Sequence, residues 1–130
     1  LDGRKSGEPY AVHISPISSS IDINEILRFA GRLNYPYNCL NGNVVDFIIP
    51  LSYQKQPEKL VSIIRDAFSH GLFQLQLNML DRQGLVDAKS HPEKYPDLVV
   101  RVWGFSAYFN DLPEEYKDNL IARAGIYETA

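Results

Sequence analysis

Gly104 is the residue of this chain whose position most needs an explanation. It lies within Val99–Phe109, "VVRVWGFSAYF", a run of apolar, aromatic and β-branched side chains that is typical of a buried strand. A glycine there costs conformational entropy and contributes no packing. Two interpretations are open: the chain bends tightly at this point, or its chemistry requires a Cα atom that carries no side chain.

The other residues with chemical potential form no recognisable site. His13, His70 and His91 are far apart in the sequence, and the chain has 1 cysteine, so no metal-ligand spacing is present. Cys39 lies in a loop of Pro, Asn and Gly with no identifiable base, and we interpret it as structural. We therefore predict no metal site and no bound cofactor.

The composition is that of one ordinary globular domain. The chain has 130 residues, 45% of them hydrophobic, and a net charge of −3. The sequence has no Lys/Arg cluster typical of nucleic-acid binding and no apolar run of membrane-spanning length. The single cysteine and the lack of a signal-peptide pattern favour a reducing compartment, so we expect a cytoplasmic protein. The start at Leu1 instead of Met favours a piece of a longer protein.

Apolar spacing predicts four helices that alternate with three strands. Asp22 is expected to cap the first helix, and Asp111 is expected to cap the last one. The second helix is expected to start at Pro57, which would lie in its first turn. The strands are predicted at 44–49, at 72–80 and around Arg101. This alternation favours an α/β layering, in which three strands make a thin sheet that a larger body would complete.

Two of these elements have a predicted apolar face. In the middle strand apolar and polar residues alternate with a period of two, which predicts one apolar and one polar face. The apolar residues of that strand are Phe73, Leu75 and Leu77, and the polar ones are Gln74, Gln76 and Asn78. The apolar face of the second helix is predicted to comprise Leu60, Ile63, Ile64, Ala67 and Phe68.

A short segment around Gly104 matches a known fingerprint. The segment reads Arg101-Val102-Trp103-Gly104-Phe105-Ser106-Ala107. It resembles the approximate pattern Arg-Val-small-Gly-Tyr-x-small near the C-terminus of the glycyl radical enzymes, the superfamily of pyruvate formate-lyase. The strand "FQLQLN", with Gln76 and Asn78 in a Gln-x-Asn arrangement, and the stretch "KSHPEKYPDLVVRV" are also similar to that family.

This resemblance covers essentially the whole chain and implies a fold. Residues 1–130 are expected to form one glycyl radical domain, the C-terminal part of a longer enzyme. The implied architecture is α/β: the C-terminal portion of a β/α barrel, with a strand leading into a buried glycine loop and a closing C-terminal helix.

Two departures from the common pattern point to a branch of the family. Trp103 stands where most members have a small residue, and Phe105 replaces the usual Tyr. With the following "SAYFNDLPEEYK" they look most like the benzylsuccinate and alkylsuccinate synthases. That branch implies a lyase-type enzyme that adds a hydrocarbon to fumarate through a cysteine thiyl radical, with the cysteine outside this chain.

The resemblance implies that Gly104 carries the stable radical. A Cα radical is delocalised onto the amide nitrogen and the carbonyl when the centre is flat, and a Cβ atom would crowd that geometry. Val102, Trp103 and Phe105 are expected to shield it from water and oxygen. The fingerprint also includes Arg101, for which an ion pair at a strand edge is the alternative. Ser106 and Ala107 complete the radical loop.

The family implies partners as well. An activating enzyme with S-adenosylmethionine and an iron–sulfur cluster would take a hydrogen atom from Gly104, and a barrel portion would supply the cysteine. Hydrocarbon and fumarate would bind mainly outside this chain, and the glycine loop is expected to swing out toward the activating enzyme. Two alternatives stay open. One is a stand-alone subunit like the autonomous glycyl radical cofactor that repairs pyruvate formate-lyase. The other is a binding domain of the same fold without radical chemistry.

Overall fold

The fold is mixed α/β, with a parallel strand pair between two helical layers. The structure is a computed structural model that describes residues 6, 13–16, 22–33, 37, 44–102 and 104–126. Its helices are α1 Ile23–Gly31, α2 Pro57–Ser69, α3 Arg82–Ser90 and α4 Glu114–Ala124. Its strands are β1 Val44–Ile49, β2 Gln74–Met79, β3 Val99–Val102 and β4 Phe105–Tyr108.

Strands β1 and β2 are parallel and joined through α2, as the alternation of elements predicts. Their register runs from Val44 opposite Gln74 to Ile49 opposite Met79. On its other edge β1 is bridged by Ile14, whose N–H donates to the Val44 carbonyl at 3.0 Å. Strand β1 is therefore covered on both edges and, from Val45 onward, buried on both faces, which suits its run of apolar residues.

The two faces of β1 contribute to two separate hydrophobic cores. The first core packs α1 and α2 on one side of the strand pair. Its buried residues are Ile23, Ile26, Leu27, Ala30, Val45, Phe47, Ile49, Ile63, Ala67 and Leu72. The second core packs α3, α4 and the β3–β4 segment on the other side. Its buried residues are Ile48, Leu85, Ala88, Val100, Val102, Phe109, Leu112, Leu120 and Ala124.

The helix boundaries near α1 and α2 confirm the sequence signals. The Asp22 carboxylate accepts from the Asn24 N–H at 3.1 Å and caps α1. Helix α2 begins at Pro57, where a missing N–H costs nothing. It ends before Gly71, whose φ of +89° reverses the chain and lets the Leu72 N–H donate to the Ala67 carbonyl at 3.1 Å.

The prediction that Asp111 caps the last helix is wrong. Asp111 ends a short 3₁₀ turn, Phe109–Asp111, and α4 begins only at Glu114. The reason is Pro113, because its ring disfavours helical geometry in the residue before it. Leu112 is accordingly extended, with ψ of 146°, and separates Asp111 from the helix.

The apolar face predicted for α2 is wider than the buried one. Ile63 and Ala67, four residues apart, are buried in the first core, and Leu60 packs against that core from the edge. Ile64 and Phe68 are 41% and 52% exposed. The sheet and α1 therefore cover only a narrow stripe of this helix.

The strand predicted around Arg101 is β3, and a second strand that was not predicted, β4, follows it directly. Strands β3 and β4 pair antiparallel, from Val99 opposite Tyr108 to Val102 opposite Phe105, and they form a hairpin apart from β1 and β2. The three predicted strands therefore do not make one thin sheet, because β3 pairs with β4 and not with β1 or β2. Within the described ranges the strands form a βαβ unit and this hairpin, and the closed barrel implied by the resemblance is not formed by them.

Candidate radical site

Gly104 lies in the reversal between β3 and β4. Since Val102 pairs with Phe105, only Trp103 and Gly104 connect the two strands. Gly104 has φ of +104°, a conformation that glycine adopts freely and other residues rarely adopt. The tight-bend interpretation of this glycine is thus confirmed as far as its backbone is concerned. Trp103 itself lies outside the described residues.

The expectation that Gly104 is buried in an apolar shell is wrong for the described part of the chain. Gly104 is exposed, and a Cβ atom built on it would meet nothing within 4 Å beyond its chain neighbours. Phe105, expected to shield it, is 51% exposed. The second core reaches along the hairpin only as far as Val102, which is 2% exposed, so the turn projects beyond the packed region.

The hairpin has one packed face and one open face. Val100 and Val102 point into the second core, and Ala107 packs against its edge. The opposite face carries Arg101 and Ser106, which are directly opposite in the register, and the Arg101 Nη1 atom donates to Ser106 Oγ at 3.5 Å. The structure shows no ion pair for Arg101 among the described residues, so its expected alternative role as a strand-edge ion-pair partner remains a prediction.

The base of the hairpin is held by hydrogen bonds to the preceding loop. The Phe109 N–H donates to the Leu98 carbonyl at 2.7 Å and continues the antiparallel pattern below β3 and β4. The Asn110 side-chain amide donates to the carbonyls of Pro92 and Tyr95, at 3.0 and 3.1 Å. Sequence reasoning missed Asn110, because nothing in its local pattern marks a residue that bridges two loops.

A second cluster orders the loop between α3 and β3. The Tyr95 hydroxyl donates to Asp87 Oδ2 at 2.7 Å, and the ring atom Nδ1 of His91 lies 2.9 Å from Asp87 Oδ1. The hydrogen bond from Tyr95, and secondly that from His91, hold the pKa of Asp87 below its ordinary value. The carboxylate in turn raises the pKa of Tyr95. The i, i+4 spacing of Asp87 and His91 was the signal that could have found this pair, whereas Tyr95 lies beyond Pro92, where helical spacing no longer applies.

A buried polar network connects β1, β2 and α4. Asp46 is 1% exposed, and its Oδ1 atom accepts from Gln76 Nε2 at 3.1 Å and from Asn78 Nδ2 at 3.2 Å. Its Oδ2 atom accepts from Arg123 Nη2 at 2.7 Å. The polar face predicted for β2 therefore does not lie in solvent near its C-terminal end, where Asn78 is 7% exposed. The sequence signal for this network was a lone carboxylate in the apolar strand "VVDFII".

Metal-ligating and membrane-spanning features are absent from the described ranges. No group of three or more His, Cys, Asp or Glu residues there could hold a metal ion. None of the helices in the same ranges has the length and apolar character needed to cross a bilayer. Cys39 lies outside the described residues, so its interpretation as structural stays a prediction.

Comparison with known proteins identifies the family. The family model described as "Glycine radical" matches residues 23–110, more than half of the chain and a range that contains Gly104. The chain is 36% identical to the probable dehydratase YbiW of Escherichia coli over 94% of its own length. The chain therefore belongs to the glycyl radical family, as a glycyl radical domain of the pyruvate formate-lyase superfamily.

Solved structures agree with this assignment. A structure concerned with 1,2-propanediol dehydration in Roseburia inulinivorans matches 94% of the chain, with a TM-score of 0.83 and 32% identity. A glycyl radical enzyme from Archaeoglobus fulgidus matches 96% of it, with a TM-score of 0.81 and 31% identity. The chain spans 16% of the length of the E. coli relative, and 16% and 17% of these two structures.

Proposed function

We propose that Gly104 is the residue of this chain that stores an organic radical. The observation that carries the proposal is its place at an exposed hairpin turn, where no side chain of the described residues, its chain neighbours aside, would require a glycine. A positive φ accounts for the turn, and the family membership accounts for the chemistry. The Cα–H bond of Gly104 is open to an approaching protein, as hydrogen abstraction by an activating enzyme requires.

Two partners act on Gly104: an activating enzyme generates the radical, and a barrel portion with a cysteine uses it. An activating enzyme that holds S-adenosylmethionine and an iron–sulfur cluster generates a carbon radical, which takes one hydrogen atom from the Gly104 Cα. The glycyl radical then takes the hydrogen atom of a cysteine thiol in a barrel portion outside the described chain, so that glycine is restored and a thiyl radical forms. The chain's own task is to hold Gly104 in place, and the partner that covers the turn excludes oxygen and water.

For the overall reaction we propose dehydration of a small polyol. The support is that the E. coli relative is named a probable dehydratase and that the Roseburia structure concerns 1,2-propanediol dehydration. In such a reaction the thiyl radical takes a hydrogen atom from a carbon bearing a hydroxyl group, and the neighbouring hydroxyl leaves as water with the proton of the remaining hydroxyl. The radical next to the new carbonyl then takes the hydrogen atom back from the cysteine thiol, which gives the aldehyde and restores the thiyl radical.

Addition of a hydrocarbon to fumarate is the second candidate. Its support is the pair Trp103 and Phe105, which resemble the benzylsuccinate and alkylsuccinate synthase branch. The compared proteins do not support this branch, because those with named reactions are dehydratases. The activated protein, joined to a barrel partner, decides between them. Aldehyde formed from 1,2-propanediol supports the first candidate, and a succinate adduct of toluene and fumarate supports the second.

Electron paramagnetic resonance tests the radical itself. The chain is produced without oxygen together with a candidate activating enzyme, as wild type, as Gly104→Ala and as Gly84→Ala, a matched change at a glycine in α3. We expect a doublet from the single α-hydrogen in wild type and Gly84→Ala, and none in Gly104→Ala. Exposure to oxygen should then cut the chain at Gly104, which mass spectrometry detects.

The same experiment can overturn the proposal. A doublet of unchanged intensity in Gly104→Ala would place the radical elsewhere. A folded wild-type chain that gives no doublet with several activating enzymes would favour the binding-domain alternative. A doublet formed by the chain alone, followed by rescue of an oxygen-damaged pyruvate formate-lyase, would favour the stand-alone cofactor.

A further inference from the structure

Residues 80–126 form a lobe that closes its own core almost entirely. We call this segment the C-terminal lobe; it comprises α3, the β3–β4 hairpin and α4. Among the described residues, every member of the second core lies within it except Ile48 of β1. In the other direction, Ile126 packs against the first core. Few side chains therefore hold this lobe on the strand pair.

One of these attachments is the ion pair between Asp46 and Arg123. Asp46 shares the face of β1 with Ile48, which points to the C-terminal lobe. The Arg123 Nη2 atom is 2.7 Å from Asp46 Oδ2 and 3.4 Å from the Asp46 carbonyl oxygen. The side chains of Arg123 and Asp46 are 13% and 2% exposed, so the pair is shielded from solvent and salt.

A short packed path leads from Arg123 to Gly104. Leu120 and Ala124 lie on α4 beside Arg123 and belong to the second core together with Val102. Val102 is the last residue of β3 and pairs with Phe105 across the turn that contains Gly104. We therefore expect a shift of α4 against β1 to reach the hairpin through this core.

The composition of the pair favours a positioning role over a purely stabilising one. Replacing a buried ion pair by apolar side chains is often neutral or stabilising, so such a pair is weak evidence for a gain in stability. The Arg123 Nε atom is also buried without a hydrogen-bond partner, which an apolar residue would avoid. The directional bonds of the carboxylate instead fix one placement of α4 against β1 and β2.

We propose that Asp46 and Arg123 are positioning residues that tie the C-terminal lobe, and with it Gly104, to the strand pair. Gln76 and Asn78 hold the carboxylate of Asp46 in the orientation that Arg123 requires. The attachment of the C-terminal lobe to the strand pair is a property of the fold, and only its consequence for the radical rests on the function proposed above.

Hydrogen exchange measured by mass spectrometry on the full chain tests the tie. In Asp46→Asn and Arg123→Met we expect amides of α3, β3, β4 and α4 to exchange at least about 10-fold faster, because one buried partner is left unpaired. Amides of α1 and α2 should keep wild-type protection in both variants, and those of β2 should keep it in Arg123→Met, which leaves the bonds from Gln76 and Asn78 to Asp46 in place. The control is Asp118→Asn, which removes an exposed partner of Lys89 inside the same lobe and should change neither set.

The conservative variant separates the ion pair from packing. Arg123→Lys keeps the positive charge with one fewer anchoring contact, and we expect its exchange to lie between wild type and Arg123→Met. The proposal would be contradicted if exchange became equally faster in the C-terminal lobe and in α1 and α2. It would also be contradicted if Arg123→Lys and Arg123→Met gave the same exchange rates. If Asp46→Asn does not fold, Arg123→Lys and Arg123→Met still decide the matter.

The rate at which the radical appears tests the consequence for Gly104. With the same activating enzyme, the doublet should form about 10-fold more slowly in Arg123→Met than in wild type, because the Cα–H bond is no longer held in one place. An unchanged rate, together with faster exchange of the lobe, would overturn the positioning of Gly104. Absence of a doublet in wild type would instead count against the proposed function, while the exchange result stands on its own.

Discussion

Glycines in two regions of the molecule are required for different reasons. Where α1 meets the end of α2, a Cβ atom on Gly31 would lie 2.1 Å from the His70 carbonyl oxygen. In the hairpin turn, a Cβ atom on Gly104 would meet no described residue within 4 Å except its chain neighbours. The first glycine permits a close approach of two backbones, whereas no such approach occurs at the second among the described residues.

This contrast shows what stability can and cannot reveal about Gly104. Gly71, next to the first region, also has a positive φ, of +89°, and serves only to end a helix. A positive φ of +104° at Gly104 is therefore an ordinary requirement of a turn. The packing of the described residues adds no further demand for a glycine there, so a chemical demand must be tested by a chemical measurement.

The largest effect on stability is expected for Gly31→Ala. The new methyl group would collide with backbone atoms of His70, which cannot rotate away, so α1 and α2 must separate. We expect the free energy of unfolding to fall by about 3 kcal/mol, as measured by urea denaturation followed by circular dichroism.

Gly84→Ala is the matched control for that change. The nearest atom to its Cβ is the Asp81 side-chain oxygen at 3.1 Å, which can move, and alanine favours a helix. This variant should stay within about 1 kcal/mol of wild type. If Gly31→Ala unfolds at the wild-type urea concentration, the close approach of α1 and α2 is not as described.

A smaller effect on stability is expected for Gly104→Ala. The positive φ is strained for alanine and costs about 1 to 2 kcal/mol, but no collision is added. The same urea measurement should thus separate the two regions, and the variant should remain folded at room temperature. A loss as large as that of Gly31→Ala would mean that a neighbouring group covers the turn.

Local sequence signals predicted most of the helical frame. The cap at Asp22 and the start at Pro57 depend on residues within one turn of each helix, which is why spacing alone could find them. The prediction that Asp111 caps the last helix was wrong because a stronger local effect, that of Pro113, sets the same boundary. The prediction that Ile64 and Phe68 lie on the packed face of α2 was wrong because the width of a buried stripe depends on what packs against the helix.

The position of the site in the sequence was predictable, but its hairpin conformation and its exposure were not. The fingerprint letters located Gly104, yet apolar neighbours are as typical of a hairpin as of a single buried strand. The partners Asp46 and Arg123 are 77 residues apart, so no local period connects them. Exposure of the turn depends on how far the second core extends, which a one-dimensional pattern does not contain.

The smallest expected effect is a dependence of stability on pH that arises in the loop leading into the hairpin. The hydrogen bond from Tyr95 is the main cause that lowers the pKa of Asp87 from 3.8. The stabilisation that this bond gives to the folded state is therefore present above that value, and it is lost as pH falls through the folded pKa. The pKa of Tyr95 is raised from 10.0 by Asp87, so the contribution is also lost as pH rises through that folded pKa. Tyr95→Phe should therefore be less stable than wild type near neutral pH, and the difference should shrink at both extremes. The matched control is Tyr108→Phe, which removes a tyrosine hydroxyl on the open face of the hairpin. Urea midpoints measured across pH check this. If wild type and Tyr95→Phe have the same midpoint at every pH, the ring packing of Tyr95, which phenylalanine keeps, holds the loop and its bond to Asp87 does not.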